Sequence, residues 1–156
     1  GLGDDTLRAT TLTFSQAERD AIFLTTSIET IIDATGTFGN NDANVLTAPL
    51  NGGLMEGAGG DDQLISGIGA DFLRGGQGND TFSFLVNSGL DQILDFVPGD
   101  KIDVSALGFT NFATLSTRIS DDGVNTTIDF DGGVADVDEV TVLGAVGLVE
   151  ADFTLV

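Results

Sequence analysis

Carboxylates and glycines are the residues of this chain that are plentiful enough to do chemistry. Of its 156 residues 20 are Asp, 5 are Glu and 22 are Gly, while His and Cys are absent. Without imidazole or thiolate, no His-assisted serine or cysteine nucleophile can be assembled, and no zinc site of nitrogen and sulfur ligands. What remains is hard oxygen: Asp side chains and the chain carbonyls exposed by glycine turns. That donor set suits a hard divalent cation, or, as the enzymatic alternative, a pair of carboxylates in hydrolysis.

The spacing of the acids decides between these. Asp62, Asp71 and Asp80 stand nine apart. Taking Gly75-Gly76-Gln77-Gly78-Asn79-Asp80-Thr81-Phe82-Ser83 as a unit and stepping back by nine gives units that begin at Ser66, Gly57, Ala48 and Gly39. Their eighth positions are Phe82, Leu73, Leu64, Met55 and Leu46, a large apolar residue each time. Their sixth positions are Asp80, Asp71, Asp62, Gly53 and Asn44, and their fourth are Gly78, Gly69, Gly60, Asn51 and Asp42. After Ser83 the period is expected to end.

Each half of the unit has its own physical logic. The glycine-rich six residues can turn tightly through positive φ, and the last three make a short strand with one inward apolar side chain. Two units close one coil of a parallel solenoid, so loops nine apart fall on opposite edges and loops eighteen apart stack. Asn44, Asp62 and Asp80 then share one edge, Gly53 and Asp71 the other. Stacked carboxylates repel unless a cation lies between them. Glycine-turn carbonyls plus an Asp from each adjacent loop offer about six oxygens, which suits Ca²⁺ better than a softer metal.

The unit is the nonapeptide G-G-x-G-x-D-x-U-x, and the chain resembles the repeats-in-toxin (RTX, haemolysin-type calcium-binding) family. Only the unit from Gly75 matches in full; Ala58 replaces the second glycine of one unit and Ser66 the first of another. The resemblance implies ions bridged by carbonyls and sixth-position acids of stacked loops. It implies one site from Ala58, Gly60 and Asp62 with Gly75, Gln77 and Asp80. A second would use Asn40, Asp42 and Asn44 with Gly57, Gly59 and Asp62. Asp71, with Gly67 and Gly69, needs a partner from elsewhere. The following Asp91-Gln92-Ile93-Leu94-Asp95-Phe96 run resembles the segment closing the roll in serralysin-type metalloproteases, which implies Asp91 and Asp95 as ligands facing Asp71. The stretch Ile102-Asp103-Val104-Ser105-Ala106-Leu107-Gly108-Phe109 is similar to RTX modules of alginate epimerases.

The expected fold is all-β: a calcium-bridged parallel β-roll with a C-terminal β-hairpin or sandwich-like cap and one short N-terminal helix. The N-terminal flank, 1–38, holds a truncated unit at Gly1-Leu2-Gly3-Asp4-Asp5-Thr6-Leu7, which suggests excision from a longer protein. There follow a capping box at Ser15 and Glu18 opening a helix to about Thr25, and a strand from Ser27 to Ile32. The roll occupies 39–105 and the cap 106–156, with alternating runs at 118–120, 127–130 and 139–143. A cap is required because an open solenoid end exposes core and strand edges.

A formal net charge of -20 argues against nucleic acid as a partner. No apolar run is long enough to span a membrane, so no membrane insertion is expected, and there is no N-terminal signal peptide pattern. The terminal Asp152-Phe153-Thr154-Leu155-Val156 resembles an uncleaved type I secretion signal. The expected function is that of a non-enzymatic calcium-binding module, secreted and extracellular, with calcium and the type I secretion apparatus as partners. The alternative is an accessory module that binds extracellular polysaccharide or serves an adhesin.

Overall fold

The computed structural model describes residues 5–9, 11–25, 28–133 and 138–156. Gly1 to Asp4 of the truncated unit, and Ser27 of the expected strand, lie outside them. The architecture is a parallel β-solenoid of about five turns built from two facing sheets. At its start stand β1 (Thr6–Ala9), α1 (Gln16–Thr25) and β2 (Thr30–Asp33). The coils then alternate: β3 (Gly36–Gly39), β4 (Val45–Thr47), β5 (Leu54–Gly59), β6 (Gln63–Ile65), β7 (Phe72–Gln77), β8 (Thr81–Ser83), β9 (Leu90–Ile93) and β10 (Lys101–Asp103). A short helix α2 (Phe112–Leu115) leads to β11 (Ile119–Asp121), β12 (Thr126–Asp129), β13 (Glu139–Val142) and β14 (Phe153–Thr154).

Register shows the coil length directly. Leu46 pairs with Leu64 and Leu64 with Phe82, while Met55 pairs with Leu73, each eighteen residues on. Inward side chains therefore stack like on like, and Leu46, Met55, Leu64, Leu73 and Phe82 are fully buried. Each such side chain contributes roughly 1.5–3 kcal/mol by leaving water. Within the roll these columns supply most of the buried apolar contact, so a polar residue at an eighth position would be costly.

The expected end of the period at Ser83 is corrected by the next coil. Phe82 pairs with Ile102 and Leu73 with Ile93, each twenty residues on. Two extra residues enter the turn after β8, and the nonapeptide phase then resumes with Asp91 and Asp100 at sixth positions and Ile93 and Ile102 at eighth. Phe84, buried in that longer turn, packs its ring 5.5 Å from Phe130 of the cap.

The cap continues the two sheets and does not form a separate sandwich. β11, β12 and β13 are antiparallel to one another, and β13 then joins β9 in parallel. β14 adds in parallel to β10, placing Phe153 against Ile102. The edges of β9 and β10 at this end of the roll are thus covered by β13 and β14, and β11 and β14 become the outer edges. At the opposite end α1 opens with the expected capping box, the Ser15 N–H donating to Glu18 Oε2 at 2.8 Å and the Glu18 N–H to Ser15 Oγ at 3.3 Å. Arg19 on this helix lies 3.7 Å from the centre of the Phe38 ring and 3.3 Å from Asp33, tying the helix to the sheet. Burial pushes the Asp33 carboxyl up, but N–H and hydroxyl donors from Thr35 and Phe14, with Arg19, outweigh it and hold it low.

Candidate metal centre

The glycine loops form two edges. The Asp62 edge stacks 39–44, 57–62, 75–80 and 95–100; the Asp71 edge stacks 48–53, 66–71 and 84–91. A carboxylate ladder runs along each. On the first, the N–H of Asn44 donates to Asp62 Oδ1 at 2.8 Å, that of Asp62 to Asp80 Oδ1 at 2.9 Å, and that of Asp80 to Asp100 Oδ1 at 2.9 Å. On the second, Gly53 donates to Asp71 Oδ1 and Asp71 to Asp91 Oδ1, each at 2.9 Å. One oxygen of each acid thus fixes the coil spacing, and the other turns into its own loop.

That second oxygen explains the first glycine of the unit. A Cβ on Gly57 would lie 2.1 Å from Asp62 Oδ2, and one on Gly75 would lie 2.1 Å from Asp80 Oδ2. On Gly39 it would meet Asn44 Oδ1 at the same distance. The second position sets whether the carboxylate is satisfied locally. Asn40 donates its N–H to Asn44 Oδ1 at 2.8 Å, and Gly67 donates to Asp71 Oδ2 at 3.0 Å. Ala58 and Gly76 instead take φ of 77° and 102°. Asp62 Oδ2 is then buried with no hydrogen-bond partner. In the longer turn Asp91 Oδ2 is also buried without one, the Ser88 hydroxyl donating to Asp138 Oδ1 at 2.8 Å.

Electrostatics reports the same deficit. Burial pushes Asp62 up to about 7, against the N–H of Asn44 and reinforced by the charges of Asp80 and Asp61. Asp91 is likewise pushed up to about 7 by burial, with Asp71 and Asp138 adding repulsion. Burial also raises Asp71, Asp80 and Asp95. Like-charged buried carboxylates with orphaned oxygens fit a divalent cation, whose charge would reverse each of these shifts. Among the described residues no three His, Cys, Asp or Glu side chains converge on one point. An ion held here would take the rest of its shell from chain carbonyls, and the stacked loops bring theirs tightly together: a Cβ on Gly76 would lie 2.3 Å from the Ala58 oxygen, and one on Gly78 would lie 1.9 Å from that of Gly60.

The residues expected from the sequence fall as follows. Ala58 pairs with Gly76 and Gly59 with Gln77, so Ala58, Gly60 and Asp62 lie in the loop beside Gly75, Gln77 and Asp80. Asn40, Asp42 and Asn44 lie in the loop beside Gly57, Gly59 and Asp62, where Asn40 oxygen accepts from the Gly59 N–H at 3.3 Å. In that loop Asn40 and its neighbours also satisfy one another, Asp42 donating its N–H to Asn40 Oδ1 at 2.8 Å. Gly69 donates its N–H to Ser88 oxygen at 3.1 Å, bringing 66–71 beneath 84–91, and Asp91 does face Asp71.

Asp95 does not face Asp71. It sits on the Asp62 edge, accepting N–H bonds from Gly75 and Gly76 at 3.0 Å each. The longer coil brings position 95 over position 75, which fixes its edge. Two further buried acids join the ladders without having been picked out of the sequence. Asp100 completes the Asp62 edge above Asp80, and the Asp100-Lys101-Ile102 spacing was the available signal. Asp138 accepts from the N–H groups of Asn87 and Ser88 at 2.8 and 3.0 Å, beside Asp91. No local signal marks it.

Phased carboxylates on the stacked loops of a parallel β-roll define a calcium-binding repeat module. Residues 55–84 match the family model of the RTX calcium-binding nonapeptide repeat (4 copies), so the chain carries RTX repeats and binds Ca²⁺ through them. The fold is similar to the solution structure of the AlgE6R2 subunit from the Azotobacter vinelandii mannuronan C5-epimerase. The two are 29% identical with a TM-score of 0.54, over 76% of this chain and 91% of that one. The AlgE6R3 subunit of the same epimerase is 28% identical over 74% of this chain and 80% of its own, with a TM-score of 0.40. No curated protein matches the chain. Among the described residues no helix is long and apolar enough to cross a membrane.

Proposed function

We propose that the chain is a non-catalytic, calcium-folded module of a secreted protein, and that the two ladders are where its ions bind. The carrying observation is the buried Asp62 Oδ2, which has no partner. Without calcium the ladders concentrate negative charge in a slender core, and the glycine loops lose much entropy on ordering. Calcium binding to the folded state alone supplies the missing stability by mass action. Asp62 with Asp80, and the loops bearing Ala58, Gly60, Gly75 and Gln77, form the first site. Asp71 and Asp91, with Asp138 alongside, form the site on the other edge. Asp95 and Asp100 serve the last coil of the Asp62 edge.

Type I secretion fits this linkage. In calcium-poor cytosol the chain stays unfolded and threadable, and millimolar calcium outside drives folding. Phe153, within residues 152–156 read as the secretion signal, is accessible only in the unfolded chain, because it is buried against the roll once it folds. A second reading, an accessory module for an extracellular uronate polymer, is favoured by the likeness to a mannuronan C5-epimerase subunit. Circular dichroism during titration with Ca²⁺ and with Mg²⁺ tests the first reading: folding is expected with Ca²⁺ alone. A chain fully folded in chelator and indifferent to calcium contradicts it. Retardation in a mannuronan affinity gel, with and without calcium, tests the second.

A further inference from the structure

The two loop edges differ in surface chemistry. On the Asp62 edge most outward residues are polar or acidic, among them Asn41, Asp42, Asp61, Gln77 and Asn79, with Val97 an isolated apolar one. The three loops of the Asp71 edge contain only two charged residues, Asp71 and Asp91, and both are buried. Outward there stand Leu50 and Ile68, 88% and 71% exposed, and in the longer turn Leu85 and Val86, 45% and 64% exposed. Phe72 and Leu90 extend the row at the ends of the adjoining strands, 43% and 51% exposed. Leu50 and Ile68 are eighteen apart, one coil, so their loops stack directly: a Cβ on Gly67 would touch Ala48 Cβ at 3.3 Å.

Six large apolar side chains, each 43–88% exposed, form a stripe of the kind that makes up the largest apolar patch of a typical monomer, roughly 300–600 Å² and often functional. Such a stripe has the makeup of the apolar centre of a standard interface, which takes about 800 Å² per partner. Charge restricts what can cover it. The chain carries -20 overall, so a second copy meets strong repulsion along the Asp62 edge and least on the one edge whose loops expose no charge. We infer that a second copy of this chain docks on the Asp71 edge, stripe against stripe in a two-fold pair. A strip that is the same on both partners is self-complementary in that arrangement. Because its residues lie in separate coils, the stripe exists only once the coils stack, and association follows folding.

Sedimentation velocity over a range of concentrations, with circular dichroism in parallel, tests this. In millimolar calcium the wild type is expected to pass from monomer to dimer as concentration rises, more readily at high salt, which screens the repulsion. Leu50→Ser combined with Ile68→Ser is expected to raise the dimerisation midpoint at least tenfold and leave the calcium-folding curve unchanged, since both side chains already face solvent. Val97→Ser, on the opposite edge, is expected to behave as wild type. If the chain proves folded without calcium, the same dimer and the same loss are expected in chelator, so the failure of the calcium reading is distinguishable. A folded wild type that stays monomeric at every concentration overturns the inference. So does a double variant that dimerises like wild type, or a monomer that instead binds phosphatidylcholine vesicles through these residues.

Discussion

Replacing Asp62 by Asn changes the charge of one buried group and keeps its shape, and the structure predicts opposite effects with and without calcium. The amide oxygen can still accept the Asn44 N–H that Asp62 Oδ1 accepts at 2.8 Å. In chelator at pH 8 the wild-type carboxylate is ionised although burial has pushed it up to about 7 from an ordinary 3.8. At about 1.4 kcal/mol per pKa unit this charge opposes the calcium-free fold by at most about 4 kcal/mol, and about 2 kcal/mol after solvent screening. Between the ordinary value and about 7 the folded state holds a proton that the unfolded chain has released, so calcium-free stability falls as pH rises through that window. Asp62→Asn removes the share of this dependence that Asp62 contributes and leaves that of Asp91, which burial also pushes up to about 7. In calcium the same change deletes an anionic ligand, and the midpoint for folding is expected to rise at least tenfold. Circular dichroism during titration with trimethylamine N-oxide, which drives folding in chelator, at pH 5 and pH 8, and under urea in saturating calcium, gives all three quantities. A variant less stable than wild type in chelator at pH 8, or one with an unchanged calcium midpoint, would refute the assignment of Asp62 Oδ2 to an ion.

Glycine substitutions separate the cradle from the turn. Gly57→Ala places a methyl 2.1 Å from Asp62 Oδ2 and 2.5 Å from Gly75 oxygen, and a loss of about 3 kcal/mol or more in calcium is expected by urea denaturation. Gly67→Ala, whose nearest contact would be Ala48 Cβ at 3.3 Å, should cost less than about 1 kcal/mol in the same assay. Ala58→Gly relieves a left-handed residue at φ 77°, for a gain of about 1 kcal/mol and a rise in Tm of about 2–4 °C by calorimetry. Phe82→Ala empties a fully buried position shared by three paired strands and is expected to cost about 3–5 kcal/mol, enough to raise the calcium requirement in a dichroism titration.

The sequence alone determined the repeat, because its signal is local. A glycine turn, an acid and one inward apolar residue recur every nine positions, and stacking of identical coils forces that phase. From it follow the coil length, the core column of Leu46, Leu64 and Phe82, the alternation of edges, and the hard-oxygen chemistry that suits calcium. The capping box at Ser15 was legible for the same reason, since its two partners lie three residues apart.

Tertiary structure decided what depends on distant pairing. Two residues inserted after Ser83 shift the phase, and only the register of Leu73 with Ile93 and Phe82 with Ile102 shows that the coil continues at twenty. That shift carries Asp95 to the Asp62 edge and recruits Asp100 to the ladder. Asp138 reaches the Asp71 edge because β13 pairs with β9 across some fifty residues, Val142 beside Ile93, a contact no periodicity encodes. The apolar stripe is of the same kind. Leu50, Ile68 and Val86 are unremarked turn residues along the chain, and they become one surface because hydrogen-bonded coils set their loops one above another.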